Sequence, residues 1–419
     1  GSGYSFGYYD ESRNFVSLGT TGETAISMVA AGTVYLTSAG TYSDSGSGQV
    51  VGGYHAQLSA AYGSFDEARA AAAGYSGGYP AYLSGTYYVR VGCYASADEA
   101  SAALAALGAE GTVEKSASTG VTVTVTKTAA VLFEFDALGA QSLAVLPNGQ
   151  GEKAVTWFKG YRYNGGFEYQ RITGGNLNVI GVVGLEDYVR GVVPHEMSGT
   201  WPTEALKAQA VCARTYVCGQ TKHQKAYGFD VCNTTDCQVY YGVNGATDIS
   251  DSAVQATAGQ RLYYNGSLIG VNAVYFSSDG GATEDAANVW GTSWDYLVGK
   301  LDPYESADSI PNYTYTTTYT AAQLTWILQN SGYSIGTIRN VYVSAFTPMG
   351  NVYKVTFEDT SGNTKTVKGE TCRTIFYSST YGKSVRSMRF NISGGSAGTS
   401  YTVNGSDTLS SVSGAYTIS

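Results

Sequence analysis

An internal repeat between residues 55 and 107 limits what the front of this chain can fold into more than any other feature. A short unit copied once builds two alike pieces that share one core. His55-Ala-Gln-Leu58 followed by Tyr62-Gly-Ser-Phe-Asp-Glu-Ala-Arg-Ala-Ala-Ala72 recurs as Tyr88-Val-Arg-Val91 followed by Tyr94-Ala-Ser-Ala-Asp-Glu-Ala-Ser-Ala-Ala-Leu104. The alternation that opens each copy has the period of a strand. Ser64 and Ser96 stand where a helix N-cap accepts a backbone N–H, and the alanine runs that follow favour helix. Each copy therefore reads as strand, turn, helix, and the pair predicts a small four-stranded or similar α+β module.

The chain has 419 residues, a length that suggests two or three domains. Charged residues are only 14%, while 54 Gly and 36 Tyr dominate, a composition of sheets and turns rather than of long solvated helices. The predicted class is α+β, rich in β structure with a few helices. A net charge of -9 repels phosphate backbones, so nucleic acid is set aside as a partner. No apolar run reaches the roughly 18 residues that a membrane span needs. Residues 1–50 alternate apolar and small polar residues, as in Thr33-Val-Tyr-Leu, and read as strands leading into a repeat module over 51–115. Thr/Val alternation restarts strands from Thr112 to Thr126, with a boundary between Glu114 and Gly120. A third region runs over 120–419, its first strands separated by the glycine turns Asn164-Gly-Gly and Thr173-Gly-Gly-Asn.

Chemistry concentrates between Leu185 and Tyr216. Leu185-Glu-Asp-Tyr-Val-Arg-Gly-Val-Val-Pro-His-Glu-Met197 precedes Trp201-Pro-Thr-Glu-Ala-Leu-Lys-Ala-Gln-Ala-Val-Cys-Ala-Arg-Thr-Tyr216. Pro202 and Glu204 mark a helix start, and Ala205 to Gln220 keep helical spacing, so Glu196 is expected in the loop just before that helix. Val192, Val193, Pro194, Met197 and Trp201 would surround it with apolar groups, and desolvation is what keeps a carboxyl protonated for work as an acid. The bland alternative is a surface or capping carboxylate. Lys207 and Arg214, seven residues apart, share a helix face and serve either a ligand or a structural ion pair. His195 is read as a lining residue. Six cysteines are too few for a disulfide scaffold, and Cys232-Asn-Thr-Thr-Asp-Cys237 would form a disulfide, hold a metal with His223 and Asp236, or be two unrelated thiols.

These runs resemble the SpoIID/LytB family. The resemblance extends over roughly residues 120–392 through Cys237-Gln-Val-Tyr-Tyr-Gly242, Tyr275-Phe-Ser-Ser-Asp-Gly-Gly-Ala-Thr-Glu284, Asn288-Val-Trp-Gly291 and Arg386-Ser-Met-Arg-Phe390. It implies a lytic transglycosylase acting on bacterial peptidoglycan, with Glu196 as a single acid/base and a 1,6-anhydro-MurNAc product. Ordinary glycosidases use two carboxylates; Glu284 or Asp285 would be the second if one is needed. By the same resemblance, Lys207, Arg214, Gln238, Tyr240, Ser277, Gly280 and Gly281 contact substrate. Phe276 stands where relatives carry His, and Asp279 where they carry Ser. The Gly280-Gly281 pair also fits a plain tight turn. No cofactor is required, although relatives with His in place of Asp236 bind zinc, which makes Cys232, Cys237 and His223 candidate structural ligands. The LytB branch implies a different role, enhancement of a cell-wall amidase, and a glycan-binding wall protein is a third reading. Leu58, Tyr62-Gly-Ser-Phe65 and Asp66-Glu-Ala68 resemble a SPOR domain, which implies binding to glycan strands and makes Tyr62, Phe65 and Tyr94 sugar-stacking candidates; otherwise they are core. The setting implied is the wall or surface of a bacterium, Gram-positive by resemblance, in sporulation or in vegetative remodelling, with a membrane anchor in the full-length protein left open.

Overall fold

A computed structural model describes residues 2–149, 154–172, 175–305, 310, 313–394 and 400–405. The chain divides into two compact units, 1–274 and 275–419. The architecture is α+β and rich in strands, as the composition implies.

In the first unit the repeat forms as expected. Strand Tyr54–Tyr62 leads to helix α1 (Phe65–Ala72), strands Gly78–Leu83 and Thr86–Tyr94 follow, and helix α2 (Ala97–Leu107) leads to strand Gly111–Lys115. Ser64 Oγ accepts from Glu67 N, and Ser96 Oγ accepts from Glu99 N. The two glutamates reach back to Gly63 N and Ala95 N, both at 3.0 Å, so the copies are capped alike. The four strands lie antiparallel with the last beside the first and the third beside the second, the βαββαβ order of ferredoxin-like modules.

The sheet does not stop there. Strand Val131–Asp136 pairs parallel with Gly78–Leu83, and Val121–Val125 and Ile26–Ala30 extend it to seven strands. Hydrogen-bonded pairing thus crosses the stretch Glu114–Gly120 where the sequence predicts a boundary. Edge strands with unpaired backbone groups invite such extension. A five-stranded antiparallel sheet, Leu177–Val182, Gly166–Arg171, Leu143–Pro147, Tyr4–Tyr9 and Phe15–Thr21, contributes Phe6 and Phe167 to a core shared with Phe65, Phe133 and Phe135. Phe65 corrects the surface reading. Its ring is 4% exposed, 5.5 Å from Phe133, and an added Cβ at Gly19 would fall 2.3 Å from it. Tyr62 and Tyr94 are half-buried, with Tyr62 packed on the core. The turn at Asn164 is observed, with Gly165 at φ +77°; part of the other, at Thr173-Gly174, lies outside the described residues.

A buried charged network crosses this sheet. Glu134, fully buried, accepts from Arg90 Nη1 at 2.7 Å, Ser116 Oγ at 3.0 Å and Tyr79 OH at 3.5 Å. His55 Nε2 lies 2.7 Å from Ser116 Oγ, and its Nδ1 lies 2.7 Å from Tyr79 OH. Burial opposes ionisation of Glu134, but the Arg90 guanidinium, His55 and the Ser116 hydrogen bond overcome it and hold the carboxyl below its ordinary range. Burial pushes the His55 imidazole below its usual value, against the pull of Glu134.

In the second unit, helix Ala321–Asn330 opens on a capping box of Thr320 and Gln323. Its Leu324, Ile327 and Leu328 join a core with Val355, Phe357 and Phe376, beside strands Ile338–Phe346, Val352–Asp359 and Thr364–Lys368. Among the described residues, no helix is long and apolar enough to cross a membrane.

Candidate functional site

Glu196 is not in a loop. It is the last residue of helix α3 (Leu185–Glu196), and a short connection leads to α4 (Thr203–Cys218), the helix the sequence predicts. Two residues hide α3 from a pattern reading, Gly191 and Pro194. Gly191 is needed: an added Cβ there would lie 2.3 Å from the Tyr240 ring and 2.7 Å from Gly242 O. Pro194 falls in the last turn, where a missing N–H costs one bond, and the helix still closes through Met197 N to Val193 O at 2.9 Å. Glu186 and Asp187 favour the positive N-terminal end.

The apolar face of α3 goes into the helical core rather than around the acid. Val192 and Val193 are fully buried with Leu206, Ala210 and Ala213 of α4 and Ala253 and Val254 of the helix Asp248–Ala256, and Met197 packs on the same core. Trp201 is 47% exposed.

Glu196 is half-buried and, among the described residues, makes no hydrogen bond or ion pair. Its acidic neighbours all do. Glu186 grips Arg214, Asp187 pairs with Arg190 and takes a hydrogen bond from Asn164, Glu204 holds Lys207, and Asp251 holds Arg190. On Glu186, Arg214's hydrogen bonds and that of Gly259 N outweigh partial burial and lower the carboxyl below its ordinary range. His195 Nδ1 donates to Gly191 O at 2.7 Å, which in the neutral ring leaves Nε2 as the acceptor. The imidazole edge meets Tyr241 at 5.6 Å, and Tyr241 stacks on Tyr161 at 5.2 Å. The Tyr241 loop is pinned to strand Tyr161–Asn164 by Val243 N to Arg162 O at 2.7 Å and Arg162 N to Asn244 Oδ1 at 2.6 Å. The Tyr161–Tyr241–His195 ring series, which ends next to Glu196 in the chain, has no signature in the sequence pattern, since a strand, a loop and a helix far apart in the chain supply it.

Other expected contacts take structural places. All five N–H donors of Arg214 go to protein acceptors, the Glu186 carboxylate and the carbonyls of Ala210, Val254 and Gln260, and its side chain is fully buried. Of the two roles open to it, the geometry assigns the structural one. Lys207, at 32% side-chain exposure, faces Glu204. Gln238 is 2% exposed and accepts from Tyr188 OH at 2.9 Å; Tyr240 is 8% exposed, packed against Tyr163 and Tyr188, with burial pushing its phenol well above the usual range.

Ser277, Gly280 and Gly281 belong to the second unit. Ser277 is exposed. Gly280 and Gly281 have φ +67° and +90°, and an added Cβ at Gly280 would lie 2.4 Å from Arg389 Cδ, so this pair is a tight turn with close approach. Asp279 shares the turn with Glu305, and burial together with Glu305 and Asp302 lifts its carboxyl to about 6. Glu284 is fully engaged, accepting from Asp285 N, Asn288, Thr347 and Asn351, and Asp285 caps the helix Ala286–Trp290. Neither is spare as a second carboxylate.

The cysteines are free thiols. His223 Nε2 lies 3.2 Å from Cys237 Sγ and 3.6 Å from Asp236 Oδ2, and Cys232 Sγ lies 3.9 Å from the same carboxylate. One ligand atom from each of the four comes within 4.8 Å of the others. A tetrahedral zinc with its sulfur ligands at about 2.3 Å separates neighbouring ligands by about 3.5 Å, so this donor set fits such an ion. Lys222 Nζ holds the other Asp236 oxygen at 2.6 Å.

Comparison with known proteins follows the same segment. Residues 173–264 match the SpoIID family model, described as stage II sporulation protein. An uncharacterised protein of Brachyspira hyodysenteriae is 46% identical over 123 residues, 29% of this chain and 33% of that protein. The amidase enhancer of Bacillus subtilis is 42% identical over 136 residues, 32% and 17% of the two chains. Stage II sporulation protein D of Bacillus subtilis is 36% identical over 154 residues, 33% and 44%. The chain spans less than half the length of these curated relatives.

Proposed function

We propose that this chain, which carries a SpoIID-family domain, is a lytic transglycosylase that cleaves the MurNAc–GlcNAc bond of peptidoglycan strands. The observation that carries the reading is Glu196, the one acid of its segment without a partner among the described residues. Its neighbours are committed to cations, and an ion-paired carboxylate is a poor proton donor. Glu196 donates its proton to the glycosidic oxygen as the anomeric carbon becomes oxocarbenium-like. The resulting carboxylate takes the proton of the same sugar's C6 hydroxyl, whose oxygen bonds to C1 and closes the 1,6-anhydro ring. One residue serves as acid and then base, in keeping with Glu284 and Asp285 being held in structure. The rings of Tyr161, Tyr241 and His195 form a series that ends at the residue preceding Glu196 and offers apolar faces to a sugar.

Supporting parts belong to the same reading. The repeat module is SPOR-like and binds glycan, with Tyr62 and Tyr94 the aromatics left to it after Phe65 enters the core. Lys207 remains a substrate contact of the first unit, and Ser277, taken by itself, a candidate contact of the second. Zinc, where bound, is structural, held by Cys232, Cys237, His223 and Asp236, and draws their loops together. The protein works outside the cytoplasm at the bacterial wall. A second reading, enhancement of a cell-wall amidase, rests on the 42% identity to an amidase enhancer.

The test is mass spectrometry of soluble products from glycan strands stripped of stem peptides. Anhydro-ended fragments from the parent and none from Glu196→Gln are expected. Reducing ends would mean a hydrolase, and stimulation of an amidase by both proteins without glycan products would select the second reading.

A further inference from the structure

Away from α3, the first unit carries a second concave site. Gln170 and Asn178 are register partners on adjacent strands, with Asn178 Nδ2 donating to Gln170 Oε1 at 3.3 Å. Facing them is a set of rings from the short helix α5 (Gln224–Tyr227) and its flanks. The Tyr227 and Phe229 rings stack at 5.8 Å and 20°, and the His223 ring sits 5.0 Å from Phe229. His223 is anchored from behind by its Nε2 contact with Cys237 Sγ, so this wall is fixed in orientation. Together with Ile172 and Ala226 these residues line an open cavity of about 390 Å³. That volume is in the range of ligand sites, roughly 300–1,000 Å³.

The lining states the chemistry of its occupant. Among the described lining residues there is no Asp, Glu, Lys or Arg, and the one ionisable side chain that can carry a positive charge, His223, already turns its Nε2 to Cys237 and Asp236. Two amides remain able to donate and accept from one wall. The other wall presents aromatic faces, with Tyr227 56% exposed and stacked on Phe229. A neutral molecule with one apolar face and a polar edge satisfies both walls. A pyranose does so, its axial C–H bonds on the rings and its hydroxyl or acetamido groups on the amides.

We infer that this cavity binds an N-acetylated hexopyranose unit of a glycan strand, as a holding subsite made of residues outside α3. The inference rests on the glycan reading above, but it is tested separately from it. Titration of the full chain carrying Glu196→Gln with chitotetraose, followed by calorimetry, gives the parent affinity. Tyr227→Ala and Gln170→Ala, each with an unchanged Tm, are expected to weaken binding at least tenfold, and Tyr227→Phe to keep it. Equal affinity in all four proteins overturns the subsite while leaving the glycan reading intact. Absence of chitotetraose binding by the parent also overturns it, and product release from wall glycan, measured as above, then decides the wider reading independently.

Discussion

Replacing Glu134 by leucine removes the acceptor that Arg90, Ser116 and Tyr79 share, while leaving the guanidinium where it is. Arg90 is 4% exposed and would keep one neutral partner, Gln57 Oε1 at 3.0 Å from its Nε. Removing one member of a buried pair strands the other charge, at a cost of about 3–5 kcal/mol. For a unit of this size that lowers Tm by on the order of 10 °C. The expected comparison is thermal and urea unfolding at pH 7, followed by circular dichroism, for the parent, Glu134→Leu and the pair Arg90→Met with Glu134→Leu. The double variant is expected to recover most of the loss, because two apolar side chains leave no charge to desolvate. A loss below about 1 kcal/mol, the level of an exposed pair, would refute the reasoning, as would a double variant no more stable than the single one.

His55 is buried with its folded-state pKa depressed, so the unfolded chain binds the extra proton first. Its contribution is present above the unfolded value of about 6.5 and declines as pH falls below it; His55→Gln should flatten the fall in stability between about pH 6.5 and 5, measured by urea unfolding. Gly191→Ala places a methyl on the Tyr240 ring and is expected to cost about 1–3 kcal/mol, visible as a lower Tm and as faster proteolysis around α3. Zinc added to the metal-free protein should raise Tm, and Cys232→Ser should remove that response while leaving the zinc-free Tm unchanged. A Tm indifferent to zinc in the parent would rule the structural ion out.

Local signals in the sequence were sufficient wherever one segment decided its own shape. Both copies of the repeat announce their helices through a serine cap and an acid three residues on, and α4 through Pro202 and Glu204. The signals fail where partners distant in the chain decide. Phe65 reads as a surface ring within its own copy, but Phe6 and Phe133, from other strands, enclose it. Glycine and proline make α3 look like a loop, although the first is there for Tyr240 and the second sits where a helix is about to end. Arg214 looks available on a helix face until Glu186 and three carbonyls take its donors. Glu196 itself was legible as a type of residue in a motif; its lack of a partner was not, since that depends on where every nearby cation went.

The two halves of the repeat differ at the first position after the cap, Phe65 in one and Ala97 in the other. The ring is clamped in the core against Gly19, whereas Ala97 is exposed. A doubling of one unit yields twins that either could stand in for, and one side chain ends that equivalence by choosing which twin the neighbouring sheet holds. The other is left with its outer surface at liberty to change, so the inherited symmetry survives in the caps and is spent at the ring.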